Sequence, residues 1–195
     1  MIVKIKSCGL LGIDGYLVDV ETDIANGMPA FDVVGLPDAA VRESRERVRS
    51  AMKNCALTFP QKRITVNLAP ANIKKAGPLY DLPISIGLLA SSEQLEAEPL
   101  SDYLFVGELS LTGELRPVAG VLPMVMCAAE HGIKKVILPP ANASEAAVVS
   151  GAEIYPARTL GDIVAHFKGI QTLARFCVDV DTLFRRQENY PVDFC

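Results

Sequence analysis

The stretch from Arg63 to Ser92, RITVNLAPANIKKAGPLYDLPISIGLLASS, constrains the fold more than any other. It opens with Ile64, Val66 and Leu68 alternating with Thr65 and Asn67, the period of two of a strand with one buried face. A polar loop follows over Ala69–Tyr80, holding Pro70, Lys74, Lys75, Gly77 and Pro78. Leu82 to Ala90 is then apolar nearly all round, which predicts a helix buried on every side. Asp81 reads as the N-cap of that helix, worth about 1 kcal/mol, with Pro83 accommodated in the first turn. A strand feeding a loop that ends on a buried helix aims backbone N–H groups and the positive helix end at the loop. The loop is therefore the first place to look for a site.

The rest of the chain is read outward from this unit. Ile2–Cys8 and Tyr16–Ile24 alternate around Gly9, Gly12 and Gly15, the signature of a hairpin. Phe31–Val34 adds a third short strand before Gly35-Leu36-Pro37, and a meander of three antiparallel strands is the economical reading. Asp38 caps a helix running to about Cys55, with Val41, Ser44, Val48, Met52 and Cys55 as its buried stripe. Tyr103–Leu109 and Leu115–Val118 read as strands flanking a tight turn. A helix over Leu122–His131, stopped by Gly132, precedes an apolar strand at Lys135–Leu138. A short helix capped by Asn142 or Ser144, a strand at Ala152–Tyr155 and a helix from a Thr159 cap to Phe167 complete the pattern. The whole predicts one α+β domain of two layers over residues 1–168, with 169–195 as a linker.

Half of the 195 residues are hydrophobic, enough to build a sizeable core. The net charge of −4 excludes a protein that coats nucleic acid over its whole surface and leaves room for a local basic patch. The five cysteines include no CxxC pair, and His131 and His166 stand at no metal-ligand spacing. With no secretory leader and no membrane-length apolar run, the expectation is a cytoplasmic protein.

Two basic features carry candidate chemistry. Arg42, Arg45, Arg49 and Lys53 recur at helical spacing beside the buried stripe of the helix from Asp38. That face is either solvated and laced by pairs such as Arg42–Glu46 and Glu43–Arg47, or a surface for phosphates. Lys74 and Lys75 precede the buried helix, where cations are unfavourable for its dipole and so have a better case as ligands for an anion. No phosphate-cradling GxxxxGK[ST] loop is present.

Four segments together carry a resemblance: Gly35–Met52 (GLPDAAVRESRERVRSAM), Val66–Ala90, Val106–Pro123 (VGELSLTGELRPVAGVLP) and His131–Ala146. In this order they resemble the N-terminal, Lon-protease-like domain of the magnesium-chelatase-like AAA+ ATPases of the ComM/YifB family. The resemblance implies the ribosomal-protein-S5-domain-2-like fold. It also implies a parent protein whose AAA+ module binds ATP and Mg, assembles as a hexameric ring and drives DNA branch migration during natural transformation. Tyr190-Pro191-Val192-Asp193-Phe194 is similar to the segment leading into that module, so the linker is expected to lead there. In Lon-type proteases a serine follows Gly-Pro before the central helix, and here Leu79 follows Gly77-Pro78. Their lysine lies two residues after a glycine at the next helix, and here Leu122 occupies that place. A leucine supplies neither nucleophile nor base, so the implied role is a non-catalytic one in DNA binding or ring assembly, with a divergent peptidase as the alternative.

Casein or a short fluorogenic peptide incubated with the chain is expected to be cleaved no faster than in buffer. Cleavage that disappears on Ser85→Ala would overturn the non-catalytic reading.

Overall fold

The computed structural model describes residues 2–178. Its strands are β1 (Val3–Leu11), β2 (Asp14–Ala25), β3 (Ala30–Val34), β4 (Arg63–Ala69), β5 (Tyr103–Phe105), β6 (Glu108–Leu109), β7 (Leu115–Arg116), β8 (Lys135–Leu138) and β9 (Glu153–Pro156). Its helices are α1 (Ala39–Arg42), α2 (Ser44–Asn54), α3 (Asp81–Ser91), α4 (Val121–Glu130), α5 (Ala143–Ala146) and α6 (Leu160–Phe167). Seven strands form one mixed, mostly parallel sheet in the order β3-β4-β2-β1-β5-β8-β9, and β6 with β7 makes a separate ribbon.

The α+β class holds. Ile5, Val18, Val20, Ile64, Val66 and Leu68 pack one sheet face against α2, α3 and α6. Cys8, Leu104, Val106, Val136, Leu138 and Ile154 pack the other against α4 and α5. Where α4 ends its cover, that second face turns polar: Lys6 meets Asp19 at 2.7 Å, and Asn67 donates to Glu21 at 2.9 Å. Helix α3 has every residue from Asp81 to Ala90 buried, as its all-round apolar sequence requires. It lies close on the sheet because Gly87 faces Thr22, where a Cβ would collide with the threonine hydroxyl.

The antiparallel meander is corrected. β3 pairs in parallel with β4 and forms the sheet edge, while β2 takes β4 on its other side. The helical segment between β3 and β4 is the reason, since a helix crossover returns the chain in parallel. The first hairpin is longer than its glycines suggested, because Gly9 and Gly15 stay in the ladder opposite Tyr16 and Leu10. The strand expected over Tyr103–Leu109 breaks after Phe105, where Gly107 leaves the sheet to exchange hydrogen bonds with the start of α3. Its N–H donates to the Leu79 carbonyl and its carbonyl accepts from Leu82, both at 3.1 Å. Beyond Lys168 the chain returns to the sheet, where the Phe176 N–H donates to the Ile154 carbonyl at 2.8 Å. The rest of the expected linker, 179–195, lies outside the described residues.

Asp81 is not an N-cap. Tyr80 holds that position, and Asp81 is the first residue of α3, fully buried. Its carboxylate accepts from Arg47 Nε at 2.6 Å and from Arg47 Nη2 at 3.0 Å, and takes the Leu109 N–H at 3.3 Å. The same guanidinium donates to the Ala40 carbonyl at 2.7 Å. In an unbroken helix that carbonyl would accept from Ser44. The helix expected over Asp38–Cys55 accordingly divides into α1 and α2 at Glu43.

Burial pushes the Asp81 carboxyl up to about 6, against the pull of the Arg47 guanidinium. The folded state then binds more protons than the unfolded chain between pH about 4 and about 6, so stability falls as pH rises through that window. Asp81→Asn is expected to flatten this fall in denaturant titrations at stepped pH. Asp81→Ala is expected to cost about 2–3 kcal/mol, because it strands a half-buried arginine and leaves the Leu109 N–H without its acceptor; a cost near 1 kcal/mol would restore the capping role.

Candidate nucleic-acid interface

The candidate surface is set by how two segments are clamped together. Gly35 adopts φ 97° and lies on the Leu68 backbone so closely that no side chain fits there. This lets Leu36–Asp38 run beside the loop after β4. Lys75 N–H donates to the Leu36 carbonyl at 3.0 Å, and Asp38 N–H donates to the Lys75 carbonyl at 2.9 Å. The Asp38 carboxylate then takes two N–H groups, Val41 at the start of α1 (2.8 Å) and Gly77 in the loop (3.0 Å). One aspartate thus caps a helix and fixes the loop against it.

The two lysines of the loop part company. Lys74 is exposed. Lys75 is fully buried, and its ammonium donates to the carbonyls of Pro70 and Ile73, the latter at 2.8 Å. Burial lowers its pKa. Lys75 therefore braces the loop from inside and does not present its charge to solvent with Lys74, contrary to its place among the candidate phosphate ligands.

Arg42 lies at the end of α1, one turn past Asp38, and Arg45, Arg49 and Lys53 follow along α2; all four are exposed. The stripe survives the helix break because Glu43 keeps right-handed helical angles. Of the pairings expected along this face, Glu43 sits 3.9 Å from Arg47, and Glu46 is 3.7 Å from Arg45. Arg42, Arg49, Lys53 and Lys74 have no side-chain ion-pair partner among the described residues. Four cations with no internal charge to satisfy can reach phosphate oxygens without first breaking a pair.

Leu79 and Leu122 sit at the starts of their helices, Leu79 in the 3-10 turn before α3 and Leu122 in the first turn of α4. Leu79 packs against both apolar clusters. The Leu122 N–H donates to Glu145 at 3.0 Å. Ser85 Oγ is buried and donates to the Asp81 carbonyl at 2.8 Å, a packed, backbone-bonded serine. His131 and His166 both lie at helix C-termini. Among the described residues no group of three or more His, Cys, Asp or Glu side chains is placed to hold a metal ion, and no helix is long and apolar enough to cross a membrane.

Sequence reasoning assigned Arg47 to a surface pair and missed its inward role. Its signal was position: it borders the buried stripe, three residues after Ser44 and beside Val48. Arg63 was also missed as a cation. It is 61% exposed at the start of β4, in a segment whose alternation spoke only of a strand.

With the geometry in place, comparison with known proteins defines the class. The family model for subunit ChlI of Mg-chelatase matches residues 20–142. The chain is 47% identical to the competence protein ComM of Haemophilus influenzae over 163 residues, 84% of this chain and 32% of that protein. It is 43% identical to YifB of Escherichia coli K12 over 165 residues, 85% of this chain and 32% of that protein. A Lon protease of Rhizobium meliloti is more distant, 25% identical over 167 residues, 79% of this chain and 20% of that protein. The chain belongs to the ChlI-like family of Mg-chelatase relatives that includes ComM and YifB. It spans about a third of the length of these two relatives.

Lys75→Ala is expected to cost about 1–3 kcal/mol, since two carbonyls in the loop lose their donor. Lys74→Ala is expected to stay within about 0.5 kcal/mol of the parent sequence. Equal denaturation midpoints for the two variants would contradict the bracing role of Lys75.

Proposed function

We propose that this chain is the non-catalytic accessory domain of a magnesium-chelatase-like AAA+ ATPase, and that it contacts DNA through Arg42, Arg45, Arg49, Lys53 and Lys74. The observation that carries the reading is the division of cations on one helix face. Arg47 is spent inside on Asp81, while Arg42, Arg49 and Lys53 point outward without ion-pair partners among the described residues. Family membership supports the parent class. In this reading ATP and Mg bind in the AAA+ module, in the part of the relatives that the chain does not span. The parent self-associates into a hexameric ring that moves branched DNA, in line with the competence name of the ComM relative. Binding through phosphates is sequence-independent and falls steeply with salt. With a net charge of −4 the single chain binds weakly, and a ring multiplies the patches. The alternative, a divergent peptidase, draws on the likeness to Lon protease, but leucines stand at both positions where the resemblance calls for chemistry.

The test is the salt dependence of forked-DNA binding by the full-length parent. Arg42→Glu, Arg45→Glu and Arg49→Glu together are expected to weaken binding and to reduce the log–log salt slope by about 0.7–0.9 for each phosphate no longer neutralised. An intact ring with unchanged affinity and slope would make the stripe a solvated face. Loss of the ring itself would make the domain an assembly module.

A further inference from the structure

Among the described residues three positions other than glycine carry a positive φ: Leu36 at 58°, Ala56 at 56° and Glu93 at 60°. Ala56 and Glu93 follow the ends of α2 and α3. The residue after each bonds back into its helix, the Leu57 N–H to the Met52 carbonyl and the Gln94 N–H to the Leu89 carbonyl, both at 2.8 Å. There the left-handed residue closes a helix. Leu36 follows a strand and closes none. A bulky residue in this conformation is a backbone outlier that the surrounding structure has to hold in place. Gly35 is pressed on the Leu68 backbone before it, the Leu36 carbonyl accepts from Lys75 at 3.0 Å, and the Asp38 N–H donates to the Lys75 carbonyl at 2.9 Å. What this clamp presents is an apolar side chain in water. Leu36 is 54% exposed, and Val34, two residues earlier, 46%.

Cations stand beside it. Pro37 and Lys75 form an isolated parallel bridge, so Leu36 and Lys74 flank that bridge from the same end, and Lys74 is exposed. The Arg42 N–H donates to the Asp38 carbonyl at 3.1 Å, one helical turn past the clamp. Arg42 also walls a groove of about 560 Å³ together with Val34 and Arg63. Neither Arg42 nor Lys74 has a side-chain ion-pair partner among the described residues. A single exposed leucine is ordinary. A leucine held out on a strained backbone beside unpaired cations has the layout of an apolar wedge set among phosphate-binding side chains.

We propose that Leu36 is a wedge for forked DNA: while Arg42 and Lys74 engage phosphates, its side chain covers the base face left open where the strands part. Within an intact duplex a wedge must first unstack a base step. At a fork that face already meets water, and covering it with a leucine is favourable without that cost. The rigid clamp matters, because a pliant loop would have to be ordered on binding. This role rests on the DNA contact proposed above and adds to it the form of DNA that binds best.

The test compares two DNAs bound by the full-length parent: a fork, and a relaxed duplex circle that leaves no base face open. Leu36→Asn introduces a polar residue that tolerates positive φ, and Leu36→Met keeps an apolar one. Leu36→Asn is expected to lower the fork-to-circle affinity ratio about tenfold, the scale of burying one leucine. Affinity for the circle, the salt slope and the ring should stay as they are, and Leu36→Met should keep the ratio. Unfolding midpoints confirm that both variants are folded, with Leu36→Asn unfolding no earlier than the unchanged protein. An unchanged ratio in Leu36→Asn, equal losses on both DNAs, or a parent with no preference for the fork overturns the wedge. Loss of the ring in Leu36→Asn also overturns it, since Leu36 would then be a contact between subunits. Reversal of Arg42, Arg45 and Arg49 separates the two claims. If it weakens binding while Leu36→Asn changes nothing, the wedge falls and the DNA contact stands; if neither changes anything, both fall.

Discussion

The pair between the half-buried Arg47 and the fully buried Asp81 is the interaction on which the rest of the structure depends. Helix α3 is apolar on every face and lies inside the protein, so the polar groups of its first turn have no water to turn to. The Gly107 carbonyl takes the Leu82 N–H, and the Asp81 carboxylate takes the Leu109 N–H and both prongs of the guanidinium. Three segments distant in sequence, α2, the start of α3 and β6, meet at one carboxylate. Burying the carboxylate wholly and the guanidinium in part is expensive, and a pair of this kind adds little net stability over an apolar replacement. What it contributes is position: the fork geometry of arginine fixes how α2 lies along α3.

That position decides the character of the surface. With Arg47 turned inward and also holding the Ala40 carbonyl, the remaining basic side chains of α1 and α2 face outward. Asp38 provides the second clamp, capping α1 and holding the loop before α3 at Gly77. Lys74 is left exposed on that loop, and Lys75 is drawn under it. The loop after β4 has the layout of a site, but its interior is filled by a lysine bonded to main-chain carbonyls. The exposed cations Arg42, Arg45, Arg49 and Lys53 lie on α1 and α2 instead.

Much of this was legible in the sequence, and the failures have physical causes. The all-apolar run Leu82–Ala90 announced a buried helix, and the Thr159 cap and the strand Lys135–Leu138 stood where local pattern placed them. The parallel pairing of β3 was misjudged, because alternation reports which face of a strand is buried and says nothing about which neighbour it pairs with. Asp81 was assigned to a cap by its place before an apolar run, whereas its actual partner is thirty-four residues away and leaves no local signal. Lys74 and Lys75 are adjacent and identical in kind, and only the pairing of Leu36–Asp38 with the loop separates a surface charge from a buried one. The family resemblance was carried by short motifs, several of which hold these same structural bonds: Gly35 and Asp38 in GLPD, and Gly107 in VGEL.

The most direct test is a double-mutant cycle at the pair, with unfolding free energies measured for Arg47→Met, Asp81→Leu and the two combined. Arg47→Met leaves the buried Asp81 carboxylate without its guanidinium, Asp81→Leu leaves the half-buried guanidinium without its carboxylate, and the combined change leaves neither. The double variant is therefore predicted to be more stable than either single variant, with a coupling of about 3 kcal/mol. Single losses that add to the double loss within about 0.5 kcal/mol would contradict the account, because the two side chains would then act independently and something else would orient α2 on α3.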